Sequence, residues 1–319
     1  MPSDHREALR IRPATTACQA DALALVFADL APPVRQDQVN MSLEAIAAEP
    51  NGGGGLLAAE RDGCMVGALF AQLQPGRAAI VWPPRLLAGE SSEAAVRLLE
   101  AACDWLHDRD VRFAQAILPI ETFDDAVVLH AAGFRHIAHL LYLVATRDTF
   151  PTAPPAADLA YEPYDPSRPE RFVGVLEATY EQSFDCPALE GMRTIDETLA
   201  GYRATGVFDP HRWLIVRHQG LDIGCLVLTD HPAHENWELV YMGVVPSARG
   251  RRWGVRIARH AQWLAQQAGR QRLVLAVDAA NLPAIKTYSM AGFEVWERRS
   301  IYGKPLGTSS GPRADDRRA

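Results

Sequence analysis

Apolar positions along this chain recur at a helical spacing, then at a strand spacing, and the same order of elements is met twice. Residues 93–107 and 253–268 are rich in Ala and Leu at helical intervals, and each stretch is followed by an apolar strand-like run, 113–118 and 273–277. Next, Leu129-His-Ala-Ala-Gly-Phe134 and Tyr288-Ser-Met-Ala-Gly-Phe293 each close a helical stretch on a glycine, the residue that best tolerates the left-handed conformation past a helix end. Each Gly-Phe leads into a further strand, 137–144 and 295–302. In the second half, 213–216, 224–228 and 238–245 predict three successive strands, with turn residues Gly220 to Asp222 between the first two. Residues 272–277 show almost no alternation, which predicts a central strand covered on both faces. The fold class expected is α/β: two tandem copies of a mixed, mostly antiparallel sheet flanked by helices.

Three prolines within 149–158 mark a connector, and residues 307–319 carry mixed charge without apolar period. The layout expected is a first domain over 1–148, a linker at 149–158, a second domain over 159–306 and a disordered tail at 307–319. With 48% hydrophobic and 22% charged residues, both halves have enough apolar surface to bury cores. The net charge of −7 opposes the basic footprint of a nucleic-acid binder. No run of about 18 apolar residues spans a bilayer and the first residues lack a signal-peptide core, so a cytoplasmic protein without a membrane partner is expected. Five scattered cysteines predict no disulfide framework. His231-Pro-Ala-His-Glu235 lacks the one-face helical spacing of a zinc motif, and no metal site is predicted.

The chemistry concentrates in Val244-Val-Pro-Ser-Ala-Arg-Gly-Arg-Arg-Trp-Gly254, a strand end, a basic glycine loop and a helix start. Such a turn aims free backbone N–H groups and the positive end of a helix dipole at one spot, and Arg249, Arg251 and Arg252 add charge that pairs phosphates. The Lys-Ser/Thr of a P-loop and the G-x-G-x-x-G order of a dinucleotide fold are both absent. The run resembles the GNAT N-acetyltransferase superfamily, whose pyrophosphate loop reads R/Q-x-x-G-x-G/A after a strand ending V-x-P. It matches at Val244, Pro246, Arg249 and Gly254, while Arg252 replaces the central glycine. Asn281-Leu-Pro-Ala-Ile-Lys-Thr-Tyr288 before Gly292-Phe293 resembles the superfamily's N-x-x-A-x-x-x-Y-x-x-x-G-F.

The resemblance implies acetyl-CoA as co-substrate, held by Val244, Val245, Arg249, Gly250, Arg251, Arg252, Trp253, Gly254 and Asn281, with a strand-end N–H at Val244 or its neighbour polarising the thioester carbonyl. It further implies Glu238, eleven residues before Arg249, as general base and Tyr288 as the acid facing the leaving thiolate. Asp185, Cys186 and Glu190 lie in the region that borders the acceptor pocket in this superfamily and are expected to bind substrate, with Asp185 and Glu190 holding a cationic amine. The first half lacks these groups: anchored on Pro83 and Gly133, it sets Pro75, Leu86, Thr122 and Leu129 where Glu238, Arg249, Asn281 and Tyr288 stand. It is expected to be a degenerate copy. The function expected is acetyl transfer to a primary amine of a small molecule by direct attack, in a monomer or homodimer. The alternatives are a non-catalytic acyl-CoA-binding regulatory module and an acetyltransferase for protein N-termini or lysines.

Overall fold

A computed structural model describes residues 8–48, 55–120, 122–155, 158–185 and 193–307. The chain forms two compact units, one of residues 1–136 and 301–319, the other of residues 137–300. No helix among the described residues is long and apolar enough to cross a membrane.

Unit 1 runs β1 (Arg10–Pro13), α1 (Gln19–Val26), α2 (Pro32–Ala48), β2 (Gly55–Arg61), β3 (Cys64–Gln74), β4 (Ala78–Leu86), α3 (Ser92–His107), β5 (Phe113–Pro119) and α4 (Phe123–Ala131). Its strands lie in the order β1-β2-β3-β4-β5. All neighbours are antiparallel except β4 and β5, which a helical crossover makes parallel. One sheet face packs on Leu98, Leu99, Ala102 and Leu106 of α3, the other on Leu23, Val26 and Ile46 of α1 and α2.

Unit 2 runs β6 (Arg135–Thr146), β7 (Ala160–Pro163), α5 (Pro169–Tyr180), α6 (Ile195–Ala204), β8 (Trp213–His218), β9 (Leu221–His231), β10 (Asn236–Val244), α7 (Trp253–Gln267), β11 (Arg272–Asp278), α8 (Leu282–Met290) and β12 (Glu294–Pro305). The strand order is β12-β6-β11-β10-β9-β8-β7. Ile257, Ala258, Ala261 and Ala265 of α7 fill one core, and Phe172, Leu176 and Leu199 of α5 and α6 fill the other.

The units do not part at the 149–158 connector. Residues of β6 from Leu140 to Thr146 pair antiparallel with the whole of β11, so the strand that follows the first Gly-Phe completes the sheet of unit 2. Reciprocally, residues 301–305 of β12, after the second Gly-Phe, belong to unit 1. The repeat is nonetheless exact in one respect that sets up the site. In each unit the parallel pair is joined over three residues only, Ala78 to Ile80 on Phe113 to Gln115 and Asn236 to Glu238 on Arg272 to Val274, and then separates. This register aligns Ile80, not Pro75, with Glu238; the proline anchor misplaced it.

β11 also departs from expectation. Leu273, Leu275 and Val277 are buried, but Val274 is half-buried and Ala276 exposed. α5 rests on β9 and β10, and the α5–α6 core holds no residue of β11. The apolar run is therefore covered on one face only by the helices of its own unit.

Candidate active site

Where β10 and β11 separate, β10 is irregular between Leu239 and Tyr241, and a cleft of about 560 Å³ opens. The loop after β10 and the start of α7 form one end. Arg252 sits at the N-cap of α7 with φ 61° and no side-chain cap, so the first N–H groups of the helix have no partner within it, an arrangement that suits an anion. Gly254 is required by packing: a Cβ there would stand 2.9 Å from Thr287 Cγ2 on α8. The left-handed conformation of Arg252 explains why a glycine suits this position. Because αL costs an L-residue about 1–2 kcal/mol while glycine loses more chain entropy on folding, Arg252→Gly is expected to leave stability unchanged or raise it by up to about 1 kcal/mol in urea titration.

Arg249 does not offer its guanidinium to a phosphate. Nε donates to the carbonyl of Val244 at 2.9 Å, Nη1 to Gln182 at 3.1 Å, and Nη2 to Thr179 at 3.0 Å and Glu181 at 2.8 Å. It ties the cofactor-side loop to the end of α5, and the positive charge left for an anion is that of exposed Arg251 and Arg252. Arg249→Ala is expected to weaken acetyl-CoA binding about tenfold and lower the melting temperature, since it orphans several carbonyls at once. Arg251→Ala should weaken binding without moving the melting temperature. Calorimetry of binding and of unfolding on the two variants separates the roles.

Val245 N–H is likewise committed, donating to Ile223 O at 3.0 Å. Neighbouring N–H groups on a strand point to opposite edges, which leaves Val244 as the residue whose N–H faces the gap. Asn281 Oδ1 accepts from Ala284 N–H at 3.2 Å and caps α8, whose Pro283 suits the first turn. Trp253 is buried, with His218 packed at 4.6 Å and Arg256 over its ring at 4.9 Å. It can serve an anion only through its backbone.

At the other end Tyr288 is 6% exposed and meets Phe293 edge-on at 5.7 Å. Burial pushes its phenol well above the ordinary value, and the Asp185 carboxylate adds to the shift. Asp185 lines the same cleft and accepts from the Asp278 backbone N–H; burial drives its carboxyl above the ordinary range, and the charge of Asp278 acts the same way. A carboxyl raised on folding binds more protons in the native state, so its charge opposes folding at neutral pH and the penalty fades as pH falls through its folded value. Asp185→Asn should melt higher than the wild type at pH 7, and the difference should close in acid. Cys186 and Glu190 lie outside the described residues.

Glu238 does not line the cleft. Its Oε2 stands 2.9 Å from His231 Nε2, both side chains being part-exposed. His231 as partner was missed in the sequence, where it looked like part of a loop. The signal was available: in the β9–β10 hairpin His231 pairs with Asn236, which makes Glu238 its diagonal neighbour. Tyr241, hydrogen-bonded to Thr179 at 2.9 Å, lines the cleft too and carried no sequence signal beyond its apolar position.

Residues 175–293 match the profile of the Acetyltransferase (GNAT) family. The mycothiol acetyltransferase of Arthrobacter sp. (strain FB24) is 31% identical over 116 residues, 35% of this chain and 36% of that protein. The match thus spans about a third of the relative's length. Among solved structures, a GCN5-related N-acetyltransferase from Sphaerobacter thermophilus superposes with a TM-score of 0.63 at 16% identity, over 93% of this chain and 96% of that one. A tandem GNAT protein from the clavulanic acid biosynthesis pathway gives 0.52 at 18% identity, over 95% and 100%. At these identities the superpositions establish the fold.

Proposed function

We propose that the chain, whose residues 175–293 match the profile of the Acetyltransferase (GNAT) family, is an acetyl-CoA-dependent N-acetyltransferase acting on a primary amine of a small molecule. The observation that carries the reading is the cleft itself. It joins an uncapped helix start, suited to a pyrophosphate, to a buried phenol where β10 and β11 separate.

Acetyl-CoA supplies the activated acetyl group when bound. The first N–H groups of α7, with Arg251 and Arg252, would hold its phosphates, and Val244 N–H, on the gap side of β10, would polarise the thioester carbonyl. The amine nitrogen attacks the acetyl carbon and the C–S bond breaks. Glu238, oriented by His231, takes the ammonium proton directly or through a water, and Tyr288 provides the proton for the departing sulfur.

We further propose that unit 1 is a degenerate copy. Across the matching gap, Arg85 of β4 donates to Asp125 of α4 at 2.7 and 3.0 Å, so an ion pair occupies the place of the cleft. Leu129, fully buried, stands where α8 carries Tyr288.

The test is titration of acetyl-CoA into the whole chain, followed by thiol release with a panel of small amines. Binding with thiol release is the expected result. Binding without release on any amine or peptide would favour a regulatory acyl-CoA module, and no binding would remove the reading altogether.

A further inference from the structure

The face of β11 and β6 that the helices of unit 2 leave open meets the cleft at Ala276. Ala276, Val240 and Asp185 line the cleft, and Ala276 pairs in register with Tyr142. Around them the same face shows Val274, Val144 and Leu140, all half-buried rather than packed under a helix. At its rim Trp296 is 57% exposed and meets Tyr142 edge-on, with centroids 6.1 Å apart and planes at 71°. An exposed indole and a half-buried phenol beside an apolar sheet surface make a wall that a flat or ring-shaped body can pack against.

The charges that face this wall have one balance. Arg299 is engaged by Glu297 on β12. Further carboxylates are those of Glu238, hydrogen-bonded to His231, of buried Asp278, whose Oδ1 accepts from Ala280 N–H at 2.8 Å, and of Asp185, which lines the cleft along with the cations Arg252 and Lys286. A cation is attracted to such a surface and a carboxylate-bearing ligand is repelled. We infer that this open face of β6 and β11, walled by Tyr142 and Trp296, seats the acceptor and selects a primary ammonium carried one or two bonds from a ring. The inference rests on the proposed acetyl transfer and adds the acceptor's chemical class. It also gives β6, the strand that follows the first repeat, a part in acceptor choice.

The probes are phenethylamine and n-butylamine, compared by thiol release from acetyl-CoA with the full chain, alongside Trp296→Ala and Tyr142→Ala. The wild type is expected to prefer phenethylamine in kcat/KM by about tenfold, the size of one good aromatic contact. Each variant should bring that ratio to within about twofold of unity through the KM for phenethylamine, leaving the KM for acetyl-CoA unmoved. Equal use of the two amines by the wild type, or a preference that survives both substitutions, overturns the inference. Acetyl-CoA binding without turnover of either amine overturns it while sparing the cofactor site, whereas failure to bind acetyl-CoA overturns the proposed function as well.

Discussion

Tyr288→Phe is expected to lower kcat for acetyl transfer about 10²-fold, within the usual range for a lost general acid, with the affinity for acetyl-CoA held within about twofold. The substitution removes one oxygen from a ring whose edge contact with Phe293 and place in the α7–α8 core stay intact, so a structural loss is not anticipated. The pH dependence adds a second check. Burial and the nearby Asp185 charge both raise the phenol, so Tyr288 stays protonated throughout the range in which an amine is acetylated. The wild-type rate should show no alkaline fall due to Tyr288 below about pH 10, its ordinary value. An unchanged kcat in the phenylalanine variant would take Tyr288 out of the reaction. A loss confined to the KM for acetyl-CoA would make it a binding residue.

Features that local chemistry dictates were legible in the sequence. The glycine-ended helices and the loop before α7 depend on residues within a few positions of one another, and each lies where the pattern placed it, whereas Asn281, expected as a cofactor contact, spends its side-chain oxygen on capping α8. What was not legible depends on partners far along the chain. Nothing local in 135–146 says that β6 will pair with β11, 130 residues away, and a proline-rich connector looks like a boundary whether or not the preceding strand belongs to the next unit. The apolar run of β11 correctly signals a central strand, yet its second face is covered only if a helix reaches it, and α5 and α6 stop at β10. Arg249 illustrates the limit for side chains: the motif places an arginine in this loop, but three of the four carbonyls that hold it come from the end of α5, about 70 residues earlier.

Glu238→Gln carries the other large effect. If Glu238 accepts the proton of the attacking ammonium, removing its basicity should lower kcat about 10²- to 10³-fold at neutral pH. Glutamine is nearly isosteric and can keep the contact with His231 Nε2, so the fold around β9 and β10 is preserved. The distinguishing observation is again the pH profile. As pH rises toward the amine's own pKa, about 10 for a primary amine, more acceptor arrives already neutral and the missing base matters less. The deficit of the variant should therefore shrink steadily from pH 7 to pH 10, with His231→Ala showing a smaller deficit of the same form, because the imidazole orients the carboxylate without replacing it. A deficit that stays constant with pH would instead mark Glu238 as a group that positions the acceptor, and an undiminished rate would move the proton acceptor to a carboxylate that lines the cleft, Asp185 being the one whose charge acts on Tyr288.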